Sequence, residues 1–354
     1  MLYDWHEPAF RQLLAGRARR HHALLLVGPG GTGKRALALE LARAALCESP
    51  LDDGRACGRC KACRWFDDGN HPDFRLVSPA ALDERGEEGG EGTEDAGSQG
   101  SAPRGKAARA GRQPRAGKPS REIRIEQIRA LDSFLEVGAH RAGQRIVAID
   151  PADAMNGIAA NALLKRLEEP PAGASFILAT SRPASLPATI RSRCQQVSLP
   201  MPATDIAVAW LVRESGGSAA VARQWLEAAG GAPLQALGFS GENGAAHRQI
   251  VDVLAAMPET GIVATADALA GIDPLVWALP AQTWAADLAR VQVGAAPRRH
   301  ADRIDRLRSL AARTSLGRLT ALERRLRALP REAAHPLNAR LLLEDVLLEY
   351  RRAL

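Results

Sequence analysis

At 354 residues, with 46% apolar side chains but only 4% aromatics, the chain is long enough for two or three domains with aliphatic cores. Its formal charge of +7 permits an anionic partner such as DNA without establishing one. No stretch approaches the roughly 18 apolar residues of a membrane span, and Met1 to Phe10 carries acids where a secretory signal is apolar, so the chain reads as cytoplasmic.

Ala23 to Val27 is a short apolar run that stops at Gly28. From Arg35 to Leu46 the pattern turns helical, with Leu37, Leu41 and Ala44 on one face. Between them lies Gly28-Pro-Gly-Gly-Thr-Gly33-Lys34, which has the GxxxxGK spacing of a phosphate-binding loop. Gly28, Gly31 and Gly33 let the backbone turn its N–H groups inward, and the helix N-terminus that follows favours an anion. Lys34 supplies a point charge for the outer phosphates of a nucleotide. The next position breaks the pattern: a working loop has Ser or Thr there to hold Mg²⁺, whereas Arg35 cannot ligate a cation.

Cys47, Cys57, Cys60 and Cys63 follow at C-x9-C-x2-C-x2-C spacing. In a cytoplasmic chain this points to metal rather than disulfides. Four thiolates close a tetrahedral shell around Zn²⁺ and leave no position for catalysis, so the metal is expected to be structural. An iron–sulfur run would place its fourth cysteine three residues on, before a proline; free thiols are the other alternative. His71 lies nearby and is read as structural, because four cysteines already fill the shell.

Phe74 to Val77 is a further strand candidate. From Asp83 to Ser120 there is no Val, Ile, Leu, Met or aromatic residue; the first part is acidic and the second basic. Such a segment buries too little surface to offset its ordering entropy and is expected to be a disordered linker. Its basic half is a weaker candidate for contact with nucleic acid. Ile125, Ile128, Leu131 and Leu135 then mark an amphipathic helix, and Arg145 to Ile149 a buried strand ending in Asp150. Asn161 to Glu169 is helical until Pro170-Pro171 halts it, and Ser175 to Ala179 is another strand. The alternation predicts a parallel sheet covered on both faces. Beyond Met201 only helical patterning continues to Leu354, with Pro200 and Pro202 marking the boundary.

The strand Ile146 to Asp150 has the form of a Walker-B element, whose acid serves the metal of a bound nucleotide. Hydrolysing enzymes of the AAA+ class place Glu next, to polarise the attacking water. Here Pro151 stands in that place, and Asp153, two residues further, is not expected to substitute.

Four stretches, Arg20 to Leu26, Asn161 to Pro171, Phe176 to Thr180 and Thr189 to Cys194, resemble the AAA+ clamp-loader subunits of bacterial DNA polymerase III. The likeness covers nearly all of residues 1–200 outside the linker. Gly231 to Leu237 resembles the lid motif that usually carries a sensor-2 arginine, with Leu234 at the arginine's place. Asn338 and Leu341 to Glu344 resemble the last collar helix. The resemblance implies an α/β AAA+ domain over 1–202, with a zinc module at about 47–63 and the disordered insert at 83–120. A helical lid over 203–242 and an all-α oligomerisation collar over 243–354 complete the implied architecture.

The same resemblance implies that Ser192-Arg193-Cys194 is an arginine-finger motif, in which Arg193 reaches ATP bound by a neighbouring subunit. Cys194 is thereby set apart from the metal ligands. The plainer alternative is that Arg193 caps a helix or pairs with a surface acid. Arg35, Pro151 and Leu234 depart from the motor-subunit pattern, while Arg193 keeps to it. The implied role is a non-hydrolysing stator in a hetero-oligomeric ring with gamma/tau and delta subunits, loading the sliding clamp on primed DNA during replication. An active clamp-loader ATPase of the gamma/tau type is the alternative, and a zinc-dependent DNA-binding regulator is a third reading.

Overall fold

The apolar runs become strands: β1 Ala23–Val27, β2 Phe74–Val77, β3 Arg145–Ile149 and β4 Ala174–Thr180, joined by β5 Gln195–Ser198. The computed structural model describes residues 2–16, 21–80, 82, 120–136, 143–332 and 338–354. Arg20, and the insert through residue 119, lie outside them. All five strands pair in parallel, in the order β2-β3-β4-β1-β5, with Leu25 opposite Leu178 and Val147 opposite Phe176.

Successive strand side chains point to opposite faces, and here both faces are buried. Leu24, Leu26, Ile146 and Ile177 pack on one side with Phe10, Leu37 and Leu41, from α1 Glu7–Ala15 and α2 Lys34–Leu46. Leu25, Val147, Phe176 and Leu178 pack on the other with Ile128, Leu163 and Ile190. Those three come from α4 Ile125–Glu136, α5 Gly157–Glu168 and α6 Ala188–Ser192; the short α3 Lys61–Asp67 lies in the cysteine region. A parallel sheet with helices on both faces is the α/β layering predicted from the alternation. Full burial of each such aliphatic side chain is worth about 1.5–3 kcal/mol.

Two details differ from the expectation. The helix predicted from Asn161 begins four residues earlier, at Gly157, because the Asn156 side chain accepts the Ala159 N–H at 2.9 Å and caps it. Strand β5, Gln-Gln-Val-Ser, has no apolar run to announce it. It is a largely exposed edge strand, recruited by the open side of β1.

The chain divides into two compact units, Met1–Pro200 and Met201–Leu354. The α-helices of the second, among the described residues, are α7 Thr204–Ser215, α8 Ala219–Ala228, α9 Pro233–Leu237, α10 Glu242–Thr260, α11 Ile262–Leu269, α12 Pro274–Gln292, α13 Ile304–Ala311, α14 Leu316–Glu332 and α15 Ala339–Ala353. One apolar core runs through α10–α15, centred on Trp277, Trp284, Leu288 and Leu347. Within it the Trp284 indole donates to the Tyr350 hydroxyl at 2.8 Å, and that hydroxyl donates to the Leu254 carbonyl at 3.1 Å. The buried Asp287 carboxylate accepts the N–H groups of Arg298, Arg299 and His300 at 2.8–2.9 Å and pins that turn. No helix among the described residues is long and apolar enough to cross a membrane.

Candidate nucleotide site and cysteine cluster

The glycine loop leaves β1 at its C-terminal end and enters α2, so Gly28, Gly31, Gly33 and Lys34 sit together where parallel α/β sheets bind ligands. Two of the glycines have no substitute. A Cβ on Gly28 would lie 2.3 Å from the Leu199 carbonyl oxygen, and Gly33 takes φ +85° with the Tyr3 ring in the space a side chain would fill. Tyr3 stacks on Trp5 with ring centroids 4.8 Å apart, and the Trp5 indole donates to the Thr32 carbonyl at 2.8 Å. The N-terminal segment therefore braces the loop, a contact that no spacing in the sequence announces.

The loop's charges are spent inside the chain. The Lys34 ammonium is buried and donates to the Pro29 carbonyl at 2.6 Å and the Ser181 hydroxyl at 2.9 Å. Burial lowers its pKa, while Asp150 and Asp153 pull it back up. Asp150, at the end of β3, has its carboxyl raised by burial and drawn down by Arg35 and Lys34. Arg35 and Lys34 are the two cations close enough to Asp150 to draw its carboxyl down. Pro151 has no side-chain group to polarise a water.

Asp153 is fully committed as well. Its carboxylate accepts the Thr180 hydroxyl at 2.8 Å, the Ser181 N–H at 3.2 Å and the Arg182 Nε–H at 2.8 Å. Burial would raise its pKa, but these donors together hold it below the usual carboxylate range. It ties the end of β3 to the end of β4 and steadies Ser181, which in turn holds Lys34. Leu234, on α9, is half-buried and carries no charge.

Arg193 lies at the other end of the sheet. It directly follows α6 and precedes β5, whose first residue, Gln195, is level with Leu24 at the start of β1. Four residues at about 3.3 Å each therefore put roughly 13 Å along the strands between that level and Gly28. The guanidinium pairs with Glu168 Oε1 at 2.6 Å and is about one-third exposed, so the surface acid of the plainer reading is present.

The four cysteines converge. Cys47 ends α2, Cys60 caps α3, and Cys63 lies in its first turn. Their sulfurs, with that of Cys57, all lie within 4.8 Å of one another. Cys47 and Cys60 Sγ are 3.9 Å apart, close to the about 3.8 Å edge of a tetrahedron with 2.3 Å metal–sulfur bonds. The N–H groups of Cys57, Cys60 and Cys63 point at the sulfurs of Cys47, Cys57 and Cys60 at 3.3–3.4 Å, donating to groups that are anionic when they ligate. The backbone N–H groups of Arg59 and Cys60 lower the Cys57 thiol to about 6, whereas burial pushes Cys63 up. The donor set fits one soft tetrahedral cation. His71 is turned to another task, its Nδ1 accepting the Asp73 N–H at 3.1 Å. Cys194 is buried in the sheet core, its thiol pushed up to about 11.

A family model described as DNA polymerase III, delta subunit, matches residues 9–203, more than half of the chain. The chain is 36% identical over 242 residues to DNA polymerase III subunit delta' of Pseudomonas aeruginosa, a stretch covering 68% of this chain and 62% of that protein. It is 33% identical over 256 residues to the delta' subunit of Escherichia coli, covering 72% of this chain and 65% of that one. Against Escherichia coli subunit tau, identity is 30% over 181 residues, or 51% of this chain and 22% of tau. The chain thus spans just under two thirds of the length of those two delta' proteins. With the glycine loop, the parallel sheet and the family model in agreement, the chain belongs to the DNA polymerase III delta-subunit family.

Proposed function

We propose that this chain is a non-hydrolysing stator in the DNA polymerase III clamp loader, which donates Arg193 to ATP held by a neighbouring gamma/tau subunit. The observation that carries this reading is the position of Arg193 at the end of the sheet opposite the chain's own phosphate loop. A finger there suits a site on another subunit. A guanidinium fits the task because it is always charged and bonds phosphate oxygens bidentately. The opposite end supports the same reading: Arg35 stands where a working loop has the Mg²⁺-binding Ser or Thr, and Pro151 stands where the expected acid would be.

In this reading the ring also contains delta, and ATP binding at the neighbour closes it on the sliding clamp and primed DNA. Helices α7–α9 serve as a lid, and α10–α15 as the collar through which subunits assemble. Cys47, Cys57, Cys60 and Cys63 hold one structural Zn²⁺.

The intact glycine loop and retained Lys34 favour a second reading, an active ATPase of the gamma/tau type. Assay of the purified chain alone separates the two. The stator shows no Mg²⁺-dependent hydrolysis, and neither Arg35→Thr nor Pro151→Glu alone restores it. Turnover of about 1–10³ per second, the ordinary enzyme range, would establish the motor instead.

A further inference from the structure

Glu168 is the last residue of α5, where the helix dipole disfavours a negative charge, and Arg193 is its ion-pair partner. Both stand on anchored elements: Leu167 beside Glu168 is 1% exposed, and Ile190 on α6 is fully buried. The pair joins two stretches far apart in sequence, the one ending in Pro170-Pro171 and the Ser192-Arg193-Cys194 tripeptide.

Both terminal nitrogens of the guanidinium are occupied within the chain. Nη2 meets Glu168 at 2.6 Å, while Nη1 donates to the Thr189 carbonyl at 3.2 Å and the Ser192 hydroxyl at 3.4 Å. A phosphate is gripped by the same fork, so the N–H that holds Glu168 is withheld from a nucleotide until the carboxylate lets go. Letting go is easy, because the two side chains are 35% and 49% exposed and water competes for both.

We propose that Glu168 is a resting latch for Arg193: its carboxylate holds the guanidinium until the phosphates of nucleotide on the neighbouring subunit displace it. The inference rests on the finger reading and adds its regulation. Glu168 acts only through Arg193 and is a positioning residue. Its charge sets how much nucleotide is needed to recruit the finger, and the engaged state is the same with or without it.

Glu168→Gln keeps the side-chain shape and removes the charge. In the reconstituted complex with clamp and primed DNA, the half-saturating ATP concentration should fall about 1.5- to 5-fold, the range of an exposed ion pair. The maximal rate should be unchanged. In the Arg193→Ala background the same substitution should have no effect. Unchanged half-saturation, a lowered maximal rate, or a shift that persists without Arg193 would each overturn the latch. Glu168→Ala repeats the test if the glutamine variant fails to assemble. If Arg193→Ala alone works at the wild-type rate, the finger reading itself falls, a result distinct from failure of the latch.

Discussion

The two ends of the sheet treat their cations in opposite ways. At the glycine loop, Lys34 is buried and bonded to Pro29 and Ser181, and Asp150 lies in the field of Arg35 and Lys34. At the other end Arg193 is one-third exposed and held by one half-exposed acid. A buried charge with internal partners is committed to the fold, because removing a partner strands it in a medium that solvates it poorly. An exposed pair is worth only about 0–1 kcal/mol and can change partners. The lysine of the glycine loop is thus held inside the fold, while Arg193 is held by a pair that can exchange partners.

The largest effect should come from the cysteine cluster, because Cys47 caps the C-terminal end of the same helix, α2, that the phosphate loop enters. Metal binding that forms only in the folded state adds directly to folding stability. Cys60→Ser should abolish stoichiometric zinc in elemental analysis and increase hydrogen exchange across α2 and α3, leaving α6 protected. Zinc retained in full by the variant, or an iron chromophore in the wild type, would contradict the assignment.

A smaller effect is expected where the committed end is broken without touching the metal. Asp153→Ala leaves the Thr180 hydroxyl and Ser181 N–H without their acceptor and should cost about 1–3 kcal/mol, read as a lower urea midpoint. Because its carboxyl is held below its ordinary range, Asp153 stabilises the fold fully above the unfolded carboxylate pKa of about 3.9. That contribution fades as the pH falls through the lower folded value, and the wild-type advantage should shrink there. An unchanged midpoint at neutral pH would show that the end of the sheet is not braced as described. Glu168→Gln is the gentlest perturbation, a shift in half-saturating ATP with no change in stability beyond that of an exposed pair.

Much of this division was legible in the sequence because it rests on local signals. The glycine spacing, the hydrophobic strands and the close cysteine spacing each act within a few residues, so each could be read without knowing the fold. The substitutions at Arg35 and Pro151 were legible for the same reason. What escaped depends on contacts across long gaps. Ser181 takes up Lys34 from 147 residues away, and Tyr3 fills the space beside Gly33. Glu168 meets Arg193 because α5 and α6 end close together at one end of the sheet. Strand β5 escaped for another reason: it is polar and exposed, so its extended form comes from pairing with β1 rather than from its own composition. The position of Arg193 relative to the glycine loop likewise needed the sheet order and register.

Whether this chain supplies an arginine to a neighbour's ATP is read from the steady-state ATPase of the reconstituted clamp-loader complex with clamp and primed DNA. Arginine fingers accelerate single-site nucleotide hydrolases by about 10³–10⁵; in a ring whose other sites keep their own fingers, the loss is diluted. Arg193→Ala should lower the stimulated rate several-fold while zinc content, melting temperature and assembly stay at wild-type values. Arg193→Lys should recover little, because an ammonium lacks the fork. An alanine variant that assembles normally and turns over ATP at the wild-type rate would show that Arg193 only pairs with Glu168.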